Sequence, residues 1–209
     1  NIIYHTMSNI LIGGRDKKKI LPVKKNGIYY FKDYPKFQPN ISPEELFRYG
    51  SFGGTYWRQI KSKFYKNKLK NKHLKYPKSW WKNIPNNNMT LPFEKYDKTI
   101  NKYGVKVGST LEEWETNGWM RKSHPYGWVQ WYCDFFIGER SVDDERQIKR
   151  WQELTGKNGR FRKFLVTMIV NNKGKWNDFT ISPKIRQTLL QWGYELTKKD
   201  YDNEIKSRK

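Results

Sequence analysis

Proton transfer needs a titratable side chain held at a chosen pKa, and the groups this chain offers for it are His124, Cys133, Asp134, Glu139, Asp143, Asp144 and Glu145. Asp134 is the candidate catalytic residue. It lies inside the string Trp128 to Phe136, where desolvation would raise the pKa of a carboxyl and where Arg140 or Arg146 could face it. The plainer reading of Asp134 is an exposed acid on the polar side of a helix, or an ion pair with arginine. His124 precedes Pro125 and reads as a turn or cap residue. Cys133 has no helix N-terminus or histidine evident beside it, so it reads as a buried thiol. Asp143-Asp144-Glu145 has the charge of a divalent-cation site, but consecutive helical positions point around the cylinder and cannot share one ion. One cysteine and three scattered histidines, His5, His73 and His124, exclude an internal disulfide and every Cys-pair zinc motif. No metal and no cofactor are expected.

Phosphate binding is better supplied. The 209 residues hold 42 Lys plus Arg against 20 Asp plus Glu, a formal charge of +22 that points to polyanionic partners. From Lys61 to Lys82 there are nine lysines and no acid. Lys61, Lys63, Lys66, Lys68, Lys70 and Lys72 are therefore candidates for tracking phosphates, joined by Arg58 from the glycine-rich string before them. The plainer reading is a solvated surface made lysine-rich by an AT-biased genome, which would not by itself purge acids from that window. Arginines cluster later: Arg140, Arg146, Arg150, Arg160, Arg162 and Arg186, with Lys149, Lys163 and Lys184 among them. Their guanidinium forks suit phosphate oxygens or a guanine edge, and Arg160 to Lys163 open a helix whose free amides favour phosphate. Trp57, Trp80 and Trp81 are candidate rings for stacking on unpaired bases, although most aromatic residues must serve the core.

These residues need elements to hold them. Hydrophobic residues make up 36% of the chain, and the 10 Trp, 14 Tyr and 11 Phe mean that the core is built largely from rings. Asn26-Gly27 between two apolar runs predicts a β-hairpin. Ser42-Pro43-Glu44-Glu45 and Thr110-Leu111-Glu112-Glu113 are capping boxes that start helices ended by Gly50 and Gly118. Trp128, Trp131, Tyr132, Phe135 and Phe136 fall on one face of a helix. Further helices are predicted from a start within Ser141 to Asp144 up to a stop at Gly156, from Gly159 to about Val170, and from Ser182-Pro183. Lys102 to Gly108 reads as a short strand or extended turn. The expected fold is α+β, mostly α: a leader with a small hairpin over 1–39, one basic, aromatic-rich domain over 40–201, and a polar tail over 202–209 that frays. No apolar run reaches the length of a membrane span, and the start Asn1-Ile2-Ile3-Tyr4-His5 lacks signal-peptide order, so an intracellular protein is expected.

Four strings carry a resemblance: Gly50 to Arg58, Lys75 to Trp81, Pro125 to Cys133 and Asp144 to Trp151. They resemble a group of uncharacterised tryptophan-rich basic proteins from fungi, algae and large DNA viruses of eukaryotes, over about Pro39 to Tyr201. The chain departs from that group at Glu139, where a basic residue is expected. The resemblance implies one compact domain and no particular reaction. The location expected inside the cell is the nucleus, or a cytoplasmic viral factory or virion if the source is viral.

The function expected from the sequence is nucleic-acid binding through phosphates, with DNA favoured over RNA because a helical body suits a duplex groove. Two other classes stand beside it. One is a DNA-processing enzyme, a nuclease or base-flipping glycosylase acting through Asp134. The other is a structural subunit of a virion or ribonucleoprotein.

Overall fold

The turn Asn26-Gly27 adopts positive φ at both residues, 49° and 79°, which is the geometry that closes a two-residue hairpin without splaying its strands. In the computed structural model, which describes residues 19–85 and 88–208, the turn joins β1 (Val23–Lys25) to β2 (Ile28–Tyr30) in antiparallel register, with Val23 opposite Tyr30. The first eighteen residues of the expected leader, His5 included, lie outside the described residues. The rest is no separate leader. Phe31 and Phe37 are fully buried in the main core, stacked on each other and against Phe135, so residues 28 to 37 are part of the body.

Among the described residues seven α-helices follow: α1 (Pro43–Arg48), α2 (Leu111–Thr116), α3 (Trp128–Phe136), α4 (Asp144–Thr155), α5 (Arg160–Asn171), α6 (Pro183–Gln191) and α7 (Lys198–Ser207). The protein is thus mostly helical with one small hairpin. Both capping boxes form, Ser42 with Glu45 and Thr110 with Glu113. Among the described residues the long stretch between α1 and α2 holds short 3-10 turns and one isolated antiparallel bridge, Ile60 with Leu69, and Lys102 to Gly108 is irregular rather than a strand. Two glycines make the first part of that stretch possible. Gly50 has φ +60° and lies so close to the Ile100 carbonyl that a Cβ has no room, and Gly53 has φ +55° with the Tyr96 ring over it.

Helix α3 is the centre of the main core. The periodicity of its rings predicts one buried face, yet every residue from Trp128 to Phe135 is buried. The second face is covered by the loops around Tyr56 and Tyr76. The Tyr56 hydroxyl donates to the Tyr126 carbonyl at 2.6 Å and accepts from the Gln130 amide at 2.9 Å, so it caps α3 from seventy residues away. Gln130 in turn accepts from the Tyr126 amide. A second, smaller apolar cluster joins Leu165, Val166, Ile169, Leu189, Tyr194 and Leu196 from α5, α6 and the segment before α7. The expected fraying tail is instead helix α7 as far as Ser207, where Ile205 packs on this cluster and Arg208 bonds Thr167 and the Lys163 carbonyl.

Tyr56→Phe leaves two buried backbone groups without partners, and it should lower unfolding free energy by about 1–3 kcal/mol with no change of fold. Urea denaturation followed by tryptophan fluorescence measures this; a loss below a few tenths would remove Tyr56 as the cap of α3.

Candidate nucleic-acid interface

The lysine segment begins as a loop closed at its base. Ile60 and Leu69 exchange two backbone hydrogen bonds, and the Tyr126 hydroxyl reaches both the Arg58 and Leu69 carbonyls. The loop between them is fastened outside the base as well. Ser62 Oγ and the Lys63 amide donate to the Glu115 carboxylate at the end of α2, and the Tyr65 hydroxyl donates to the Lys122 carbonyl. Lys61, Lys66, Lys68, Lys70 and Lys72 are exposed and, among the described residues, have neither an ion pair nor a side-chain hydrogen bond. Lys63 differs, because its ammonium donates to the Glu115 carbonyl.

The rings and arginines expected at this surface are mostly spent inside the protein. Trp57 is wholly buried between Phe47, Tyr56, Tyr76 and Tyr126, so it cannot stack on a base. Trp80 is buried and parallel to Tyr76, and Trp81 is half-buried against Phe47. Arg186 is 3% exposed and donates to the carbonyls of Trp176, Asp178 and Ile181, which makes it the bracket of the turn before α6 and not a phosphate ligand. Arg162 is buried too, paired with Asp200 at 2.8 Å and lying over Tyr194. Arg146 holds Asp143 with two nitrogens, and Arg140 holds Asp33 the same way. Arg58 is half-buried, bonded to the Thr55 carbonyl and set over Phe93. Of the cations expected at this surface in the second half, Lys149, Arg160, Lys163 and Lys184 face solvent, with Arg150 half-buried.

Asp134 is buried, contrary to an exposed position on the polar side of the helix, and its partner is lysine rather than arginine. Lys75 Nζ lies 2.7 Å from Oδ1, the Tyr76 hydroxyl donates to the same oxygen at 2.9 Å, and His124 Nε2 is 3.4 Å from Oδ2. Burial works to raise the Asp134 pKa, but the hydrogen bonds from His124, Lys75 and Tyr76 and the Lys75 charge outweigh it and hold the carboxyl below its usual range. That is a fixed anion with its lone pairs in use, the opposite of a general acid. Glu139, the departure from the resembled group, is the second acceptor of Lys75 at 2.6 Å. Ser123 Oγ is 3.0 Å from His124 Nδ1, so the histidine bridges serine and aspartate as a structural link. Burial pushes the Cys133 thiol well up, and no thiolate is available there. Asp143 and Asp144 point to different partners, Arg146 with Gln147 and Trp131 with Ser141. Among the described residues no cluster of three His, Cys, Asp or Glu could hold a metal ion.

A cleft that the sequence did not announce is made of neighbouring pockets that share lining residues. Its main chamber, of about 420 Å³, lies where the two apolar clusters meet, walled by Trp114, Trp119, Tyr126, Trp128, Phe161 and Trp192. Arg150, Glu153 and Arg160 also line it. A narrower chamber continues past Tyr56 and Trp114 to Arg58 and Lys106, and a shallow one beyond it reaches Lys61, with Glu94 and Glu112 on its wall. Trp114 and Trp119 come from the end of α2 and the turn after it, and Trp192, more than seventy residues on, meets them only at the seam. No helix among the described residues is long and apolar enough to cross a membrane. Comparison with protein-family models, curated proteins and solved structures finds no match for this chain.

Asp134→Asn should cost about 2 kcal/mol at neutral pH, at the low end for a broken buried pair because Lys75 reaches solvent. Since the folded pKa of Asp134 lies below its unfolded value, its contribution is present above about pH 4 and is lost as pH falls through the folded value. The stability gap between wild type and variant, from urea melts, should therefore narrow from neutral pH to about pH 2. A gap that stays constant would refute the ion pair.

Proposed function

We propose that the protein binds nucleic acid, duplex DNA before RNA, through contacts with phosphates. The observation that carries this reading is the closed loop and its continuation: five exposed lysines, Lys61 to Lys72, without an internal partner, on a backbone fastened at Ile60, Leu69, Ser62 and Tyr65. Unpaired surface charge is destabilising to keep and is of use toward a polyanion, because each phosphate neutralised releases a condensed counterion. A fastened loop also loses less conformational freedom on binding. Duplex is favoured over single strand because Trp57 and Trp80 are buried, so the lysine loop presents charge with little stacking surface. Lys149, Lys163 and Lys184 are further phosphate contacts in this reading, whereas Arg146, Arg162 and Arg186 are not. The compartments that fit are those holding DNA.

The test is fluorescence anisotropy with labelled duplex DNA, single-stranded DNA and structured RNA over a salt series. Replacing Lys66, Lys68, Lys70 and Lys72 together by Gln should weaken duplex binding by about tenfold or more and reduce the slope of log K against log salt by about 2–4. The melting temperature should hold or rise slightly, because among the described residues the four side chains have no partner to lose and their mutual repulsion is removed. Wild-type affinity and slope in the variant would refute the loop as the interface. Strand scission or base loss on a denaturing gel would favour the enzyme class instead.

A further inference from the structure

The main chamber of the cleft has features that a phosphate-tracking surface does not need. Its volume of about 420 Å³ is in the range of small-ligand sites, and its walls are ring faces. Trp128, one of those walls, is 7% exposed, and its indole N–H is buried with no hydrogen-bond partner. Gln191 on the same wall spends its Nε2 on the Ser51 carbonyl. That leaves its amide oxygen as an acceptor on this wall. At one rim is the start of α5. Gly159 gives that helix no side-chain cap, so its first amides are free, and Arg160 stands at its first position. Arg150 lies over the Trp192 ring at 5.2 Å on the neighbouring wall. Burial, with Arg146 and Arg121 nearby, lowers its pKa to about 10, still fully charged at neutral pH.

Ring-lined sites also take quaternary ammonium ions, but two arginines against the single Glu153 make this one repel a cation. A ligand must therefore be flat, edged with donors and acceptors, and anionic. We propose that the chamber binds a nucleotide, its base between the rings against Trp128 and its phosphate at Arg160 and the α5 N-terminus. The same chemistry comes from two sources, a free mononucleotide or a nucleotide extruded from a strand held on the lysine loop. The extruded source rests on the proposed polymer binding; the free source does not.

The experiment titrates the full chain with AMP, GMP, CMP and UMP at low salt, following tryptophan fluorescence, with the matching nucleosides and inorganic phosphate as controls. At least one monophosphate should saturate below about 1 mM and bind about tenfold more tightly than its nucleoside or phosphate alone. Arg160→Glu and Trp119→Ala, both at exposed positions, should each weaken it by about tenfold while the melting temperature holds. A second arm uses duplex with an unpaired 2-aminopurine, which brightens on leaving the stack. Saturation by monophosphate with a dark duplex assigns the site to free nucleotides. A bright duplex that darkens in Arg160→Glu assigns it to an extruded base. No saturation by any monophosphate together with a dark duplex overturns the proposal, as does unaltered binding in both variants. The four-lysine variant separates the two readings, since it should lose duplex but keep its monophosphate titration.

Discussion

Helix α3 is buried from Trp128 to Phe135, so the polar atoms it carries depend on partners inside the protein, and much of the remaining structure is arranged to supply them, the Trp128 indole N–H being left without one among the described residues. Gln130 and its amide are served by Tyr56 and Tyr126. Asp134 is served by Lys75, Tyr76 and His124, the Trp131 indole by Asp144, and the Tyr132 hydroxyl by the Ile41 carbonyl. Each unmet buried group would cost about 1–3 kcal/mol, comparable with a good share of the net stability of a domain. The irregular stretch from Gly50 to Gly108 is consequently no loose loop. It is the second wall of α3, and the glycines at 50 and 53 are there because backbone and ring must pass where no Cβ fits.

The two kinds of basic residue divide the labour. Arginine has five donors in a rigid fork and is weakly hydrated, so it tolerates burial when carbonyls or carboxylates surround it. Arg140, Arg162 and Arg186 are used in this way, each tying together segments distant in the chain or closing a turn. Lysine holds its hydration more strongly, and the lysines of the 61–72 segment stay in solvent. The net charge of +22 therefore overstates the arginine content of any binding surface and understates how far that surface is a lysine one.

Local signals were legible in the sequence because local physics decides them. The Asn26-Gly27 turn, the boxes at Ser42 and Thr110, and the Gly156 stop all form where their residue types require. What was not legible depended on contacts between distant residues. Ring spacing in α3 predicts one apolar face, and nothing in that string says that Tyr56 and Tyr76 will cover the other. Burial of Asp134 follows from the same cover, and Lys75 rather than an arginine meets it because the 3-10 turn at Lys72–Lys75 lies against α3. Trp57 and Arg186 carry no local mark that separates a core role from a ligand role. Residues 202–209 are polar by composition, yet Ile205 and Arg208 find partners on α5 and extend α7.

The cleft follows from having two apolar clusters rather than one. Trp128 and Trp192 belong to the first, and Phe161 packs on the second. Rings are too large and too rigid to fill every gap where two such clusters meet, so a seam between them keeps open volume. Helix α5 begins at that seam, because the Gly156 stop and Gly159 allow only a short joint after α4. Its free amides and Arg160 therefore open onto the ring-lined space. Apolar walls lower the local dielectric, and a charge held there by a fixed helix end and a guanidinium interacts more strongly than the same charge on the lysine loop. The loop and the seam thus differ in kind: one presents separate exposed ammonium groups, and the other a half-open pocket walled by rings.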